Sequence, residues 1–448
     1  MNEQAKPEVR GALTSLFSSL VVQGSKLLAG ESVSGSLIRR CQILTSSRGE
    51  ASGIALASAI LADFAAADDQ TKHDFFVELA NQMDPSLDQV KDAAAAYASA
   101  PSSAHLSAFL RVAEPPRREL FRRLNHAPGG TEALVKMRAE IFRLFKDREA
   151  RSRIDLDFDF LFQAWFNRGF LNIQPITWNT SARLLDKIIT YEAVHQIPDW
   201  EALRQRIQPQ DRRCFAFFHP RMPDEPLIFV QVALTDYVPE KIGEILNPQR
   251  EFLAVDRATT AVFYSISNTQ AGLRGVSFGN FLIKQVASDL RAELPQLKTF
   301  VTLSPVPGIA DWAQGLDLPD ELSAHLEALG LSDAKLADEQ PGKEAEQTLT
   351  ALAAAYFLDA KNAQGQPLDP VARFHLGNGA ILDRINWMGD PSAKGLNSAL
   401  GLMVNYLYDL GRVEINHEQF AESGKVTASG AVEGLARKGR KILSEISS

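Results

Sequence analysis

The stretch from Ala261 to Gly308 limits the possible folds of this chain more than any other part of the sequence. It opens with Ala261–Ser267, a β-branched and aromatic run with the length of a buried strand. Apolar residues then recur every four positions from Phe278 to Leu290, which predicts a helix that Pro295 ends. A second strand is predicted over Lys298–Leu303. Strand, helix and strand in this order form a βαβ unit, so we expect the two strands to be parallel neighbours.

Glycines punctuate the loop between the first strand and the helix. Gly272, Gly275 and Gly279 follow the spacing G-x-x-G-x-x-x-G, with Gln270 before them and Arg274 among them. The first turn of a helix has unpaired N–H groups and a partial positive charge, and glycines let the backbone approach an anion such as phosphate. The spacing is neither G-x-G-x-x-G nor a Walker A motif. The loop is therefore either a phosphate-binding loop or a plain glycine-rich turn.

Two polar residues are candidates for catalysis. Ser304 directly follows the second predicted strand, at the edge where parallel sheets commonly bind ligands, although a serine that caps a turn fits the same pattern. His375 is flanked by loop-forming residues, so we expect it on a loop, with Asn378 placed to orient its imidazole. Imidazole has an ordinary pKa near neutrality, which suits a proton donor. The alternative for His375 is a structural histidine.

Charge and cysteine content exclude several classes of protein. The formal net charge of −8 argues against general affinity for nucleic acid. The two cysteines, Cys41 and Cys214, lie far apart, which argues against a disulfide framework and for a reducing compartment. The sequence shows no apolar run long enough to span a membrane, no secretory signal and no Ser-Lys-Leu ending, so we predict a cytoplasmic protein. No His-x-His, His-Glu-x-x-His or Cys-x-x-Cys spacing occurs, so we predict no metal site.

The periodicity of the sequence divides the chain into a helical part and a mixed part. We predict an all-helical N-terminal domain over residues 1–165 and a catalytic domain of mixed α and β structure, of the α+β or α/β class, over residues 166–448. In the second domain, Phe215–Phe218 and Leu227–Thr235 are predicted strands joined by the proline-rich segment between them. Met403–Tyr408 is predicted to be the last strand.

Several short motifs in the mixed part of the chain carry a family resemblance. The motifs are Gln270–Gly279, Leu303–Gly308, Phe374–Ala380, Tyr191–His195, Arg212–Cys214 with Glu225–Val230, and Ile385–Met388. They resemble motifs of malonyl-CoA decarboxylases, and they occur in the order of that family. The resemblance implies a helical N-terminal domain and a catalytic domain similar to the GNAT acetyltransferase superfamily. In that fold two adjacent parallel strands separate, and the pantetheine arm of an acyl-CoA lies between them.

The resemblance also implies roles for particular residues. The catalytic residues that carry over are His375 as proton donor, Ser304 as proton acceptor and Tyr408 as an active-site tyrosine. Ser277 stands where animal members of the family have a glutamate, so a role for that carboxylate does not transfer. The acyl-CoA contacts that carry over are Asn268, Gln270, Arg274, Gly275, Val276, Ser277, Phe278, Gly279 and Asn280, together with Ser304 and His375.

The function implied by the resemblance is that of a carboxy-lyase of fatty acid metabolism. It converts malonyl-CoA to acetyl-CoA and carbon dioxide, without metal or other cofactor, in a homo-oligomer that is a dimer or a tetramer. One alternative is an acyltransferase that uses an acyl-CoA as donor to an amine on the same scaffold. The other is a non-catalytic malonyl-CoA sensor, which binds the thioester without turnover.

Overall fold

The computed structural model describes residues 36–46, 49–276, 282–316 and 343–446. The chain forms two compact units. One consists of residues 1–172 together with two short segments, 218–226 and 270–277, and the other contains the remaining residues. The domain boundary near residue 165 remains a prediction.

The described residues between 36 and 165 are mainly helical, as the sequence predicts. Its core is aromatic: the rings of Phe121 and Phe158 stack with centroids 4.2 Å apart, and Phe158 meets Phe162 edge to face at 5.5 Å. Phe158, Phe162 and Phe166 are buried in this unit, whereas Phe160 and Phe170 are exposed. The described helices are α1 (Leu37–Thr45), α2 (Glu50–Ala66), α3 (Asp69–Gln82), α4 (Leu87–Ser99), α5 (Ser103–Ala113), α6 (Pro116–Asn125), α7 (Gly130–Leu144) and α8 (Arg148–Trp165).

One mixed sheet organises the second half of the chain. The described strands are β1 (Asn172–Pro175), β2 (Arg212–His219), β3 (Met222–Thr235), β4 (Thr260–Asn268), β5 (Thr299–Thr302), β6 (Ser304–Pro305), β7 (Ile381–Asn386) and β8 (Met403–Leu407). Their order in the sheet is β1-β2-β3-β4-β5-β8-β6, and β7 pairs with β8 outside this path. The pair β4 and β5 is parallel, whereas β3 with β4 and β8 with β5, β6 and β7 are antiparallel.

The βαβ prediction is confirmed by the pairing of its strands. The register joins Thr260 to Thr299 and Phe263 to Thr302 in a parallel ladder. The crossover helix buries Leu282, Val286 and Leu290, which recur every four positions in the sequence, and also Ile283 and Ala287.

The connection predicted between β2 and β3 is wrong in length. The two strands are joined by residues 220 and 221 alone, and β3 begins at Met222, so Pro223 and Pro226 lie inside a strand. The register of β3 with β4 starts only at Ile228, opposite Asn268. The first residues of β3 therefore have no partner in β4, and a proline that lacks an N–H is tolerated there.

The other helices of this half lie between and after the strands. None of the described helices is both long and apolar enough to cross a membrane. The helices are α9 (Ala182–Tyr191), α10 (Trp200–Ile207), α11 (Ile242–Leu246), α12 (Leu282–Glu293), α13 (Ile309–Gln314), α14 (Lys343–Asp359), α15 (Pro370–Gly377), α16 (Ala393–Ala399), α17 (Val413–Ser423) and α18 (Gly430–Ile446).

Candidate active site

The parallel strands β4 and β5 separate at one end, and this opens a cleft. Their parallel register ends at Phe263 and Thr302, and the N–H of Leu303 donates to Phe263 O at 3.0 Å. Beyond it, β4 continues to Asn268, whereas the chain after Leu303 pairs with β8, with Ser304 opposite Val404. The backbone of β4 beyond Phe263 is thus no longer covered by its parallel neighbour, as the resemblance to the GNAT fold implies.

A cavity of about 230 Å³ occupies this cleft. Asn268 of β4, Ser304 and Pro305 of β6, and Phe374 and His375 of α15 lie among its lining residues. None of the described lining residues carries an Asp, Glu, Lys or Arg side chain. The cavity therefore surrounds its contents with apolar groups and a few neutral polar ones.

His375 lies on a helix, so the prediction of a loop position is wrong. Helix α15 begins after Asp369, whose carboxylate accepts a hydrogen bond from Ala372 N, and has Pro370 in its first turn. The loop-forming residues around His375 are the signals that start and end this short helix. His375 falls in its last turn and is buried, with 3% of its surface exposed.

Both ring nitrogens of His375 bond to hydroxyl groups. Nε2 is 3.1 Å from Ser304 Oγ, and Nδ1 is 2.9 Å from the hydroxyl of Tyr408. The imidazole also stacks on the ring of Tyr406, with centroids 4.5 Å apart and an interplanar angle of 24°. The structure thus brings together Ser304, His375 and Tyr408, which lie far apart in the sequence.

Asn378 does not orient the imidazole, so that expectation is wrong. Its side chain donates instead to Phe374 O, at 2.6 Å, at the end of α15. The imidazole is held by the two hydroxyl groups and by the stacked Tyr406.

Burial keeps this cluster uncharged. It lowers the pKa of His375 from its ordinary value to about 3. The sequence-based expectation of a donor pKa near neutrality therefore does not hold for the free protein. Burial also raises the pKa of Tyr408 and of Tyr406 well above the ordinary value for tyrosine. At neutral pH the site consists of a neutral imidazole among neutral hydroxyl groups.

Glu192 fixes one wall of the cavity. Its carboxylate accepts hydrogen bonds from Ser265 Oγ of β4, at 2.8 Å, and from Gln231 Nε2 of β3, at 2.5 Å. It also accepts from the backbone N–H groups of Val194 and His195, at 2.8 and 3.0 Å. Val194 lines the cavity. The Tyr191–His195 motif thus connects a cavity wall to the sheet through one half-buried carboxylate.

The predicted acyl-CoA loop is described only in part. Gln270 Nε2 donates to Pro226 O at 3.0 Å, and Gly272 O accepts from Arg138 Nη1 of α7 at 3.1 Å. The Arg274 guanidinium lies 5.4 Å from the ring centroid of Phe142. Gly275 has a φ of +83°, a conformation that favours glycine, and Val276 is buried, whereas Ser277, Phe278, Gly279 and Asn280 lie outside the described residues.

Two family models match this chain. "Malonyl-CoA decarboxylase N-terminal domain" matches residues 83–166, and "Malonyl-CoA decarboxylase C-terminal domain" matches residues 169–445. A mitochondrial malonyl-CoA decarboxylase from Rattus norvegicus is 36% identical over 357 residues, which cover 73% of this chain and 72% of the rat protein. This chain belongs to the malonyl-CoA decarboxylase family. The resemblance seen in the motifs is thereby confirmed, and so is the prediction that the chain is an enzyme, a decarboxylase.

Crystal structures of malonyl-CoA decarboxylases share the fold. The one from Rhodopseudomonas palustris is 51% identical, with a TM-score of 0.85, over 89% of this chain and 98% of that chain. The one from Agrobacterium vitis is 48% identical, with a TM-score of 0.84, over 90% of this chain and 99% of that chain. The predicted fold class, a helical N-terminal region followed by a mixed-sheet domain, is confirmed.

Sequence analysis missed three residues in and around this cluster. Thr302 bonds to Ser304, and Tyr406 stacks on His375. Asp369 is the N-cap of the helix that contains His375. Each has a weak signal in the sequence. Thr302 and Tyr406 stand two positions before residues already singled out, as same-face residues of a strand do, and Asp369 precedes a proline as N-cap residues often do. These patterns are too common to indicate a site alone.

Asp369 is a buried acid with one satisfied oxygen. Its Oδ1 accepts from Ala372 N at 2.7 Å, whereas Oδ2 has no hydrogen-bond partner within the described ranges. Burial raises the pKa of Asp369 to about 7. The carboxyl thus stays protonated in the folded protein at pH values where it ionises in the unfolded chain. Ionisation of the buried Asp369 carboxyl lowers the free energy of unfolding. This loss is absent below the pKa that Asp369 has in the unfolded chain and is complete above about pH 7.

We expect Asp369→Asn to stabilise the protein at pH 8, and the gain to shrink as the pH falls to 4. The amide cannot ionise, and it keeps the oxygen that accepts from Ala372. Urea unfolding midpoints at pH 4, 6 and 8 measure the effect. Asp199→Asn makes the same exchange at an exposed N-cap that accepts from Ala202 and is the control. A gain of equal size at pH 4 and pH 8 would show that ionisation of Asp369 does not cause it.

Proposed function

We propose that this chain converts malonyl-CoA to acetyl-CoA and carbon dioxide. The observation that carries the proposal is the contact of His375 with Ser304 and Tyr408 in the cleft between β4 and β6, in a member of the malonyl-CoA decarboxylase family. The pantetheine arm would enter between the separated strands and place the malonyl group beside this cluster. Acyl-CoA contacts of Asn268 and of the loop at residues 270–280 belong to the same proposal.

The cavity suits loss of a carboxylate. When the bond between the carboxylate carbon and the α-carbon breaks, its electron pair moves into the thioester as an enolate, and carbon dioxide leaves. In a cavity whose described lining carries no acidic or basic side chain, the malonyl carboxylate is solvated less well than in water. Departure as neutral carbon dioxide removes that charge, and N–H and O–H donors stabilise the enolate oxygen. The thioester itself accepts the electrons, so we propose that no metal or organic cofactor takes part.

His375 supplies the proton that the α-carbon needs. The imidazole is neutral in the free enzyme, but a carboxylate bound beside it favours the charged form and raises its pKa. The imidazole takes up one proton from water as substrate binds and transfers one to the enolate carbon. Ser304 is positioned near the malonyl carboxylate and is the partner hydroxyl, which accepts a hydrogen bond from His375 Nε2. One proton from solvent is consumed in each turnover, as the overall reaction requires.

The proposal is tested by incubating the purified chain with malonyl-CoA in buffer that contains a chelator and no added cofactor. We expect acetyl-CoA and carbon dioxide in equal amounts. An acyltransferase would release free CoA only when an amine acceptor is added, and a sensor would bind malonyl-CoA without forming either product. Either result would contradict the proposed reaction.

We also propose that the enzyme acts in the cytoplasm as a homo-oligomer, either a dimer or a tetramer. Helices α4 and α5 support self-association, because neither contains a buried residue in this structure. Leu87, Leu106 and Leu110 on these helices are 74%, 37% and 58% exposed. Sedimentation of the full chain measures the stoichiometry.

A further inference from the structure

Thr302 is the last residue of β5 and lies between the two segments, β5 and β6, that pair with β8. Val301 of β5 pairs with Leu407, and Ser304 of β6 pairs with Val404, so the ladder along β8 is interrupted between them. At this gap the Thr302 side chain replaces a backbone acceptor, and its Oγ1 accepts the N–H of Tyr406 at 3.2 Å. Thr302 is fully buried, and its hydrogen bond with Tyr406 N holds this hydroxyl beside the site.

Thr302 Oγ1 also accepts a hydrogen bond from the Ser304 hydroxyl. Ser304 Oγ donates to Thr302 Oγ1 at 2.9 Å. A hydroxyl group has a single proton, so Ser304 Oγ can only accept in its contact with His375 Nε2. Nε2 therefore carries the imidazole proton, and Nδ1 accepts from the Tyr408 hydroxyl, because a neutral imidazole has one donor and one acceptor nitrogen.

This direction is the reverse of that in a serine hydrolase. There the serine hydroxyl donates to the histidine, which removes its proton and makes the oxygen a nucleophile. Here Ser304 donates its hydrogen bond to Thr302 and accepts one from His375. A serine oxygen held in this way cannot pass its proton to the imidazole.

We propose that Thr302 is a positioning residue that holds the Ser304 hydroxyl away from His375 and so prevents Ser304 from attacking the thioester. The inference rests on the proposed decarboxylation. The reaction that Thr302 suppresses is hydrolysis. In it Ser304 Oγ bonds to the thioester carbonyl carbon, His375 takes the serine proton and CoA leaves as the thiol. Water then releases the acid and restores the serine.

Thr302→Val tests this role, because valine keeps the shape of threonine and lacks the hydroxyl. We expect kcat for acetyl-CoA formation to fall roughly tenfold to a hundredfold, the usual size for a partner that orients a functional group. KM should change by less than about threefold. The fraction of substrate converted to free CoA should rise, since Ser304 can then donate to His375.

Two further variants separate orientation from packing. Thr302→Ser keeps the hydroxyl and should retain most of the wild-type kcat and the wild-type product ratio. Thr350→Val removes a buried hydroxyl that bonds only to carbonyls of its own helix, and should leave both unchanged. If Thr302→Val keeps the wild-type kcat and product ratio, or if Thr302→Ser fails as badly as Thr302→Val, the proposal is overturned. Circular dichroism confirms that each variant is folded.

The position of the imidazole proton can be measured without turnover. The chain has eight histidines, and ¹⁵N-histidine labelling with His375→Asn as the reference assigns the signals of His375. At pH 7 we expect Nε2 to be protonated and Nδ1 to be unprotonated in the wild type, with a shift toward the other tautomer in Thr302→Val. A wild-type imidazole protonated at Nδ1 would overturn the inference. Failure of the wild type to produce acetyl-CoA would instead refute the proposed function and leave this result intact.

Discussion

Ser304→Ala and His375→Asn are each expected to lower kcat roughly 10²–10⁴-fold, the range for a positioned acid–base group or a donor to developing charge. In the proposed mechanism both side chains act mainly as the carboxylate leaves and the proton arrives. Malonyl-CoA binding, which depends largely on the CoA moiety, should change much less. Steady-state kinetics of acetyl-CoA formation give kcat and KM for each variant.

The double variant tests whether the two side chains act as a pair. Ser304 Oγ and His375 Nε2 are 3.1 Å apart, so removal of either disrupts the same step. The double variant should therefore lose far less than the product of the two single losses. His126→Asn and Ser398→Ala make the same exchanges away from the cavity and serve as controls. Losses that multiply would mean that the two side chains serve different steps.

A normal kcat in His375→Asn would assign the proton to another donor. Tyr408 is the next candidate, because its hydroxyl bonds to Nδ1 of His375 and is equally buried. A variant that changes only KM would make His375 a binding residue. In either case the interpretation of the Ser304 contact would need to change as well.

The sequence predicts local features of this site well. The strands β4 and β5 and the helix between them follow from apolar periodicity within one short stretch, and a βαβ unit has one common handedness and makes its strands parallel. Ser304 and His375 were found because short motifs around them resemble those of a known family. Each of these signals is contained in a few neighbouring residues.

The features that sequence analysis missed depend on pairing across long separations. Strand β8 lies between β5 and β6 in the sheet, although about a hundred residues separate it from them in the chain. Only that arrangement stacks Tyr406 on the imidazole of His375 and lets the Thr302 hydroxyl accept a hydrogen bond from Tyr406 N. The low pKa of His375 has the same origin, because it comes from burial that no single segment encodes. The sequence does not identify the proline-rich start of β3 as part of a strand for a related reason, because the register of β3 with β4, which begins only at Ile228, is a tertiary property.

Gly379→Ala is expected to cause a large loss of stability next to the site. Gly379 has a φ of +82°, and a Cβ there would lie 1.9 Å from Val413 O, at the start of α17. Left-handed backbone costs an alanine about 1–2 kcal/mol, and overpacking a close contact adds about 1–3 kcal/mol. The expected loss is therefore roughly 2–5 kcal/mol of unfolding free energy.

Gly365→Ala separates the two causes, because it shares only the backbone conformation. Its φ is +74°, and nothing lies within 4 Å of the Cβ that it would carry. It should lose only the strain of about 1–2 kcal/mol. Urea unfolding of both variants under the same conditions measures the difference, which we attribute to the contact with Val413. Gly379→Ala should also lower kcat, because the turn at Gly379 follows directly on α15, where the N–H of Ala380 bonds to His375 O at 3.1 Å. Equal losses of stability in the two variants, with kcat unchanged, would show that α17 moves aside without disturbing His375.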